Sequence, residues 1–222
     1  MDRRAAILGA SGLVGGHCLA AILERPQFGS VTALNRRELQ VRNHPKLMPR
    51  VVDLWKLSPQ DFFGVTDLFC ATGTTIAKAG SQQEFRRIDY ELPLHIAQIA
   101  ANSGVQRLVL VSSVGANPDS TNFYLRTKGE LERDLGQLGF QGLYIFRPSL
   151  LLGKRREVRL LEMIAMRFAP ALDLVLWGTL KRYRAIPARI VGRAMVATAE
   201  EAKPGTFVYH YHEIVRMAGQ IR

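Results

Sequence analysis

The strongest constraint on this chain lies in its first sixteen residues. A short apolar run, Ala5-Ala6-Ile7-Leu8, leads directly into Gly9-Ala10-Ser11-Gly12-Leu13-Val14-Gly15-Gly16. A helical pattern follows from Val14 to Leu23, with Val14, Leu19, Ile22 and Leu23 apolar. Strand, glycine turn and helix in that order leave few folds open. Each of the three spaced glycines answers a separate demand. Gly9 permits a tight turn, Gly12 lets a ligand approach the backbone, and Gly15 lets the helix pack on the strand. The unpaired amides that open the helix, backed by its dipole, suit a diphosphate. The context gives the motif its weight, because a strand precedes it and a helix follows.

The rest of the chain alternates apolar runs with helical patterns. Strands are expected over residues 30–34, 51–52, 67–71, 107–112 and 143–146, and helices over 89–102 and 124–138. Continuous apolar runs separated by helices indicate a parallel sheet covered on both faces, joined by right-handed crossovers. The expectation is an α/β chain with a doubly wound parallel-sheet Rossmann fold. After Arg147-Pro148-Ser149 the rhythm changes. An amphipathic helix is expected over 157–168, stopped by Pro170, then a second helix over 190–199 and a short strand over 206–209. Residues 1–222 read as one NAD(P)-binding unit, with 1–150 as cofactor-binding core and 151–222 as a small substrate-side lobe that is not independent.

The second strand selects the dinucleotide. Binders of NAD carry an acid at its end to hold the ribose 2′-hydroxyl. This chain has Asn35-Arg36-Arg37 there instead. Guanidinium groups suit a 2′-phosphate, so NADP is expected over NAD. Farther along, Tyr124-Leu125-Arg126-Thr127-Lys128 sets a phenol and an ammonium four residues apart, on one helical face. A nearby ammonium stabilises a phenolate and brings tyrosine below its reference pKa, ~10. That suits proton exchange with an alcohol or carbonyl, and the same ammonium can hold the nicotinamide ribose. A hydroxyl at the preceding strand end, Ser113 or else Ser112, would polarise the substrate oxygen.

Taken together, GASGLVGG, LNRREL, VVDL, CATGTT with the following KAG, LVLVSS, YLRTKGELE and FRPSLLLG resemble the short-chain dehydrogenase/reductase superfamily. The closer likeness is to its atypical members around the Tat-interacting metastasis-suppressor proteins. The likeness runs to about Gly153 and continues more faintly at Val191-Gly192-Arg193-Ala194-Met195. It implies that Ser11, Gly12, Leu13 and Val14 line the pyrophosphate, and that Asp53 and Leu54 flank the adenine. It implies Cys70, Ala71, Thr72 and Gly73 beside the ribose. Ser112, Arg147, Pro148, Ser149 and Leu150 would border the nicotinamide end. Ser113, Tyr124 and Lys128 would form the catalytic set. One departure stands out: many relatives carry a proton-relaying asparagine where this chain reads Ile88-Asp89-Tyr90. The C-terminal lobe is also shorter than in members that modify nucleotide sugars, which argues against a large sugar-nucleotide substrate.

Composition narrows the alternatives. Hydrophobic residues make up 47% of the chain, and no apolar run reaches the ~18 residues that span a bilayer. Met1-Asp2-Arg3-Arg4 followed by six residues does not form a secretory leader, so a cytoplasmic protein is expected. Cys18 and Cys70 sit among apolar neighbours and read as small buried hydrophobes. His210-Tyr211-His212 would point two imidazoles to one side of a strand, but without a third ligand no metal site is expected. The net charge is +11, and between Leu151 and Arg193 ten Lys/Arg face three acids. This basic segment, residues 154–193 above all, suits an acidic protein partner or a solvated face. It has no nucleic-acid reader motif, and no nucleic-acid partner is expected. Two functions stand. One is an NADP-dependent oxidoreductase acting on a small carbonyl or alcohol. The other is an NADPH-sensing module that works through protein contacts with a vestigial catalytic set.

Overall fold

The computed structural model describes residues 3–40, 43–153 and 182–219. Seven strands form one fully parallel sheet: β1 Arg3–Leu8, β2 Phe28–Asn35, β3 Leu47–Val51, β4 Asp67–Cys70, β5 Arg107–Val111, β6 Gly142–Phe146 and, from the far end of the chain, Gly205–Tyr209. Two short strands, β7 Leu151–Leu152 and β8 Ile186–Pro187, pair separately, so Gly205–Tyr209 is β9. The order across the sheet is β3-β2-β1-β4-β5-β6-β9. The chain winds outward from β1 in both directions, so β1 and β4 flank the switch point where such sheets bind ligands at their carboxyl ends. The doubly wound α/β expectation holds.

Each face of the sheet has its own core. On one face α1 Leu13–Glu24 packs with α6 Ala188–Glu201 and α7 Tyr211–Gly219 over Ile7, Val31, Phe69, Val109 and Phe146. The helices α1 and α6 come close because Gly192 has no side chain: a Cβ there would stand 2.7 Å from the Cys18 amide nitrogen. On the other face α4 Leu92–Asn102, α5 Phe123–Leu135 and two 3-10 turns, Leu54–Lys56 and Pro59–Phe62, cover Ala6, Leu34, Leu68, Leu108 and Ile145. Both cysteines are buried free thiols. Among the described residues no helix is long and apolar enough to cross a membrane.

The sequence misjudged several boundaries. The third strand is Leu47–Val51 rather than 51–52, and it is an edge. Past Leu47 its side chains face solvent, so no long apolar run marks it, and an edge tolerates Pro49. The helix expected over 89–102 is α4, which starts at Leu92 and follows two short helices, α2 Ile76–Ala79 and α3 Gln82–Arg86. Between α3 and α4 the chain makes one π-helical turn, Arg87–Glu91, with Leu92 N–H donating to the Arg87 carbonyl. Pro93 supplies the reason. It has no N–H for the carbonyl four residues back, at Asp89, and its ring crowds that carbonyl, so the helix widens there. The His210-Tyr211-His212 strand does not form: β9 ends at Tyr209 and α7 starts at Tyr211. The helix expected over 157–168 and Pro170 lie outside the described residues.

Candidate active site

The glycine loop is built as a cradle. Gly9 has φ +80°, and a Cβ on it would lie 2.6 Å from the Ala71 carbonyl oxygen, so both its backbone angle and its neighbour demand glycine. Gly12 N–H donates to the Gly9 carbonyl at 2.8 Å and closes the turn. Gly12 then caps α1 with no side-chain hydrogen bond, and the first turn holds no acid. Ser11 and Gly12 are exposed, and the early amides of α1 have no intrahelical acceptor. Leu13 is half-buried against Gly153, and Val14 turns into the core. The result is an open, positively polarised helix end beside the switch point.

Around it the structure sorts the remaining expected residues. At the end of β2, Asn35 is buried and its amide donates to the Ala33 carbonyl at 2.9 Å. Arg36 and Arg37 follow, exposed. Asp53 is exposed and caps the next turn through Trp55 N–H at 3.1 Å, while Leu54 is core. Cys70 is a buried thiol 3.3 Å from the Thr72 hydroxyl, and burial pushes its pKa up, so it has no role as an ionised sulfur. Ala71 and Thr72 are half-buried and Gly73 is exposed.

The catalytic candidates gather on the other side of β4. The Asn122 side chain accepts the Leu125 N–H at 3.1 Å and starts α5, so Tyr124 lies in its first turn and Lys128 one turn on. Gly129 lets the loop after β5 touch this helix, since a Cβ there would sit 2.2 Å from the Asn117 carbonyl carbon. Ser113 belongs to that loop and is half-buried, its hydroxyl 3.3 Å from the Val114 carbonyl. Tyr124 packs on Phe85, with ring centroids 5.4 Å apart. Lys128 is buried, and its ammonium lies 2.6 Å from Asp89 Oδ1. The second oxygen of Asp89 accepts the Thr74 N–H at 2.8 Å.

Three expected residues have other engagements. Ser112 donates its hydroxyl to Glu132 in the buried interior, and Ser113 is the half-buried hydroxyl at the strand end. The Arg147 guanidinium also grips Glu132, with Nε 3.0 Å from Oε2, in an ion pair. Ser149 donates its hydroxyl to the Arg184 carbonyl. Pro148 is buried, Leu150 is half-buried, and the Leu150 carbonyl accepts the Ile186 N–H at 2.9 Å. Asp89, Thr74 and Glu132 were not foreseen as site residues. Pro93, four residues past Asp89, was the available signal. Glu132 had none, because its partners lie on two strand ends distant in sequence. Among the described residues no group of histidines, cysteines and acids could hold a metal. Most of the basic segment, residues 154–181, lies outside the described residues.

The HIM1 family model matches residues 48–175, more than half of the chain. The chain belongs to the HIM1 family. This HIM1-family chain is 41% identical over 152 residues to "Protein FMP52, mitochondrial" of Saccharomyces cerevisiae, a match covering 67% of this chain and 66% of that protein. It is 33% identical over 207 residues to the fmp52 protein of Emericella nidulans, also named mitochondrial, covering 90% and 88% of the two chains. These names overturn the cytoplasmic expectation. They also replace the likeness to the Tat-interacting branch with the HIM1 family. Among solved structures, MoeE5 in complex with UDP-glucuronic acid and NAD superposes with a TM-score of 0.71 at 19% identity, covering 98% of this chain and 82% of the other. A UDP-N-acetylglucosamine 4-epimerase from Methanobrevibacter ruminantium M1 gives 0.69 at 15%, covering 94% and 76%. At such identities the likeness is one of fold, the doubly wound parallel-sheet Rossmann fold described above.

Proposed function

We propose that this HIM1-family chain binds NADP(H) and transfers hydride between it and a small carbonyl or alcohol. The observation that carries the reading is a juxtaposition. The uncapped, glycine-built end of α1 and the Tyr124–Lys128 pair of α5 both belong to the carboxyl side of one parallel sheet. The dinucleotide would supply the hydride. Its diphosphate would lie against the first amides of α1, which have no intrahelical acceptor, with no side chain on Gly12 in the way. Arg36 and Arg37 would hold a 2′-phosphate, and this preference over NAD rests on their charge alone. Lys128 would present a fixed cation to the nicotinamide ribose. Tyr124 would pass a proton to or from the substrate oxygen, and Ser113 would orient that oxygen.

On this reading residues 1–150 hold the cofactor, and 151–222 shape the substrate side of the same unit. The mitochondrial names of its relatives support a mitochondrial setting. The test is Tyr124→Phe, followed by NADPH oxidation against a panel of small carbonyls. The reading expects turnover to fall about a hundredfold or more, with NADPH affinity kept within about threefold, because the phenol contributes to the chemical step more than to ground-state binding. Tight NADPH binding by wild type without turnover on any carbonyl would instead favour the cofactor-sensing module.

A further inference from the structure

Asp89 has no part in the mechanism above, yet the fold buries it against Lys128. It is 2% exposed and rides on the π-helical turn that Pro93 imposes. One oxygen meets the Lys128 ammonium at 2.6 Å, and the other takes the Thr74 N–H at 2.8 Å. The Lys128 side chain is only 6% exposed. Opposite charges this dry stand or fall together, since removing one strands the other in a poor solvent. The charged and titratable groups that face Lys128 are Asp89 from the π-turn, Tyr124 from its own helix and Cys70 from β4. Burial would push the lysine down, but Asp89 first and Tyr124 next outweigh it and hold Lys128 above the ordinary lysine value.

We propose that Asp89 is a positioning residue: it fixes Lys128 by a direct ion pair, keeps it a cation, and ties it through Thr74 to the loop after β4. A neutral asparagine at this place could still accept from Thr74, but it would leave the buried ammonium without a counter-charge. The lysine then acts as a stationary charge beside Tyr124 and does not hand its proton onward in the neutral range. Its functional meaning rests on the oxidoreductase reading, whereas the pair itself can be tested without turnover.

The experiment follows Lys128 by NMR titration of 13C-lysine-labelled full-length protein, its resonance identified with Lys128→Arg. Wild type, Asp89→Asn and Asp89→Glu are compared, and NADPH binding to wild type is measured in parallel by nucleotide fluorescence. Asp89→Asn should lower the Lys128 titration midpoint by about two pH units or more, and Asp89→Glu should restore most of it. A folded Asp89→Asn protein with an unmoved Lys128 midpoint overturns the proposal. If Asp89→Asn does not fold, the double variant Asp89→Asn/Lys128→Met decides. It regains the native state if the two residues act as a pair, and stays unfolded if the carboxylate is needed for something other than Lys128, which overturns the proposal. Absent NADPH binding removes the oxidoreductase reading but leaves the ion pair to be decided by the titration.

Discussion

Gly15 stands so close to the Gly9 carbonyl that a Cβ on Gly15 would sit 2.0 Å from its oxygen. The helix therefore crosses the turn at a distance only hydrogen allows, and this crossing aims the α1 amides outward. Gly15→Ala should force the turn apart and weaken NADPH binding at least tenfold. Its neighbour gives the control, since a Cβ at Gly16 would meet the Ala10 carbonyl oxygen at 3.3 Å, a contact that small shifts relieve. Gly16→Ala should keep binding and lose little stability. Nucleotide titration with urea denaturation reads both.

Glu132 joins two strand ends by accepting from Ser112 and from Arg147. The carboxylate is 6% exposed, so its removal leaves a partly buried guanidinium without its anion. Glu132→Ala should cost about 3–5 kcal/mol, the usual penalty for breaking such a pair from one side. Against a domain stability of about 5–15 kcal/mol that is a large loss. Ser112→Ala should cost about 1–3 kcal/mol. Chemical denaturation that found Glu132→Ala as stable as wild type would contradict this account of the interior.

Arg36 and Arg37 extend past β2 as exposed charges. Reversing both, Arg36→Glu with Arg37→Glu, should weaken NADPH at least tenfold and leave NADH within a few-fold, because only the former carries the extra phosphate. The wild-type preference should shrink as salt rises, since exposed charges are screened. Equal loss for both nucleotides would assign these arginines to something other than the 2′-phosphate.

Two histidines predict the acid limb of stability. His210 is lowered by burial and by Arg147, and His17 by burial and by Arg189. Both therefore favour the neutral form in the folded protein. Their contribution is complete above the unfolded value of ~6.5 and is lost as pH falls through the lower folded values. Melting temperature should decline on acidification from pH 7 to 5, and His210→Gln should flatten part of that decline. A melting temperature that rose over this range would reverse the sign of the argument.

The parallel sheet was legible because its central strands are continuous apolar runs, as in Leu108-Val109-Leu110, and buried strands need nothing else. The cradle was legible because three backbone demands fall within eight residues. Edge strand β3 was blurred because solvent-facing positions carry no apolar signature. The inner polar groups were hidden for a different reason. Ser112 and Ser113 are adjacent in sequence, but strand pleating sends one hydroxyl inward to Glu132 and leaves the other in the loop. Asp89 read as a missing asparagine, and only the π-turn from Pro93 revealed the lysine it meets.

What binds at the start of α1 decides the chemistry open to this chain. Titrating the purified protein with NADPH and NADH, by nucleotide fluorescence at low salt, tests this directly. Saturable NADPH binding in the micromolar range, at least tenfold tighter than NADH and lost in Gly15→Ala, is the expected result. No saturable signal with either nucleotide at millimolar concentration would contradict the cofactor reading and the hydride chemistry built on it.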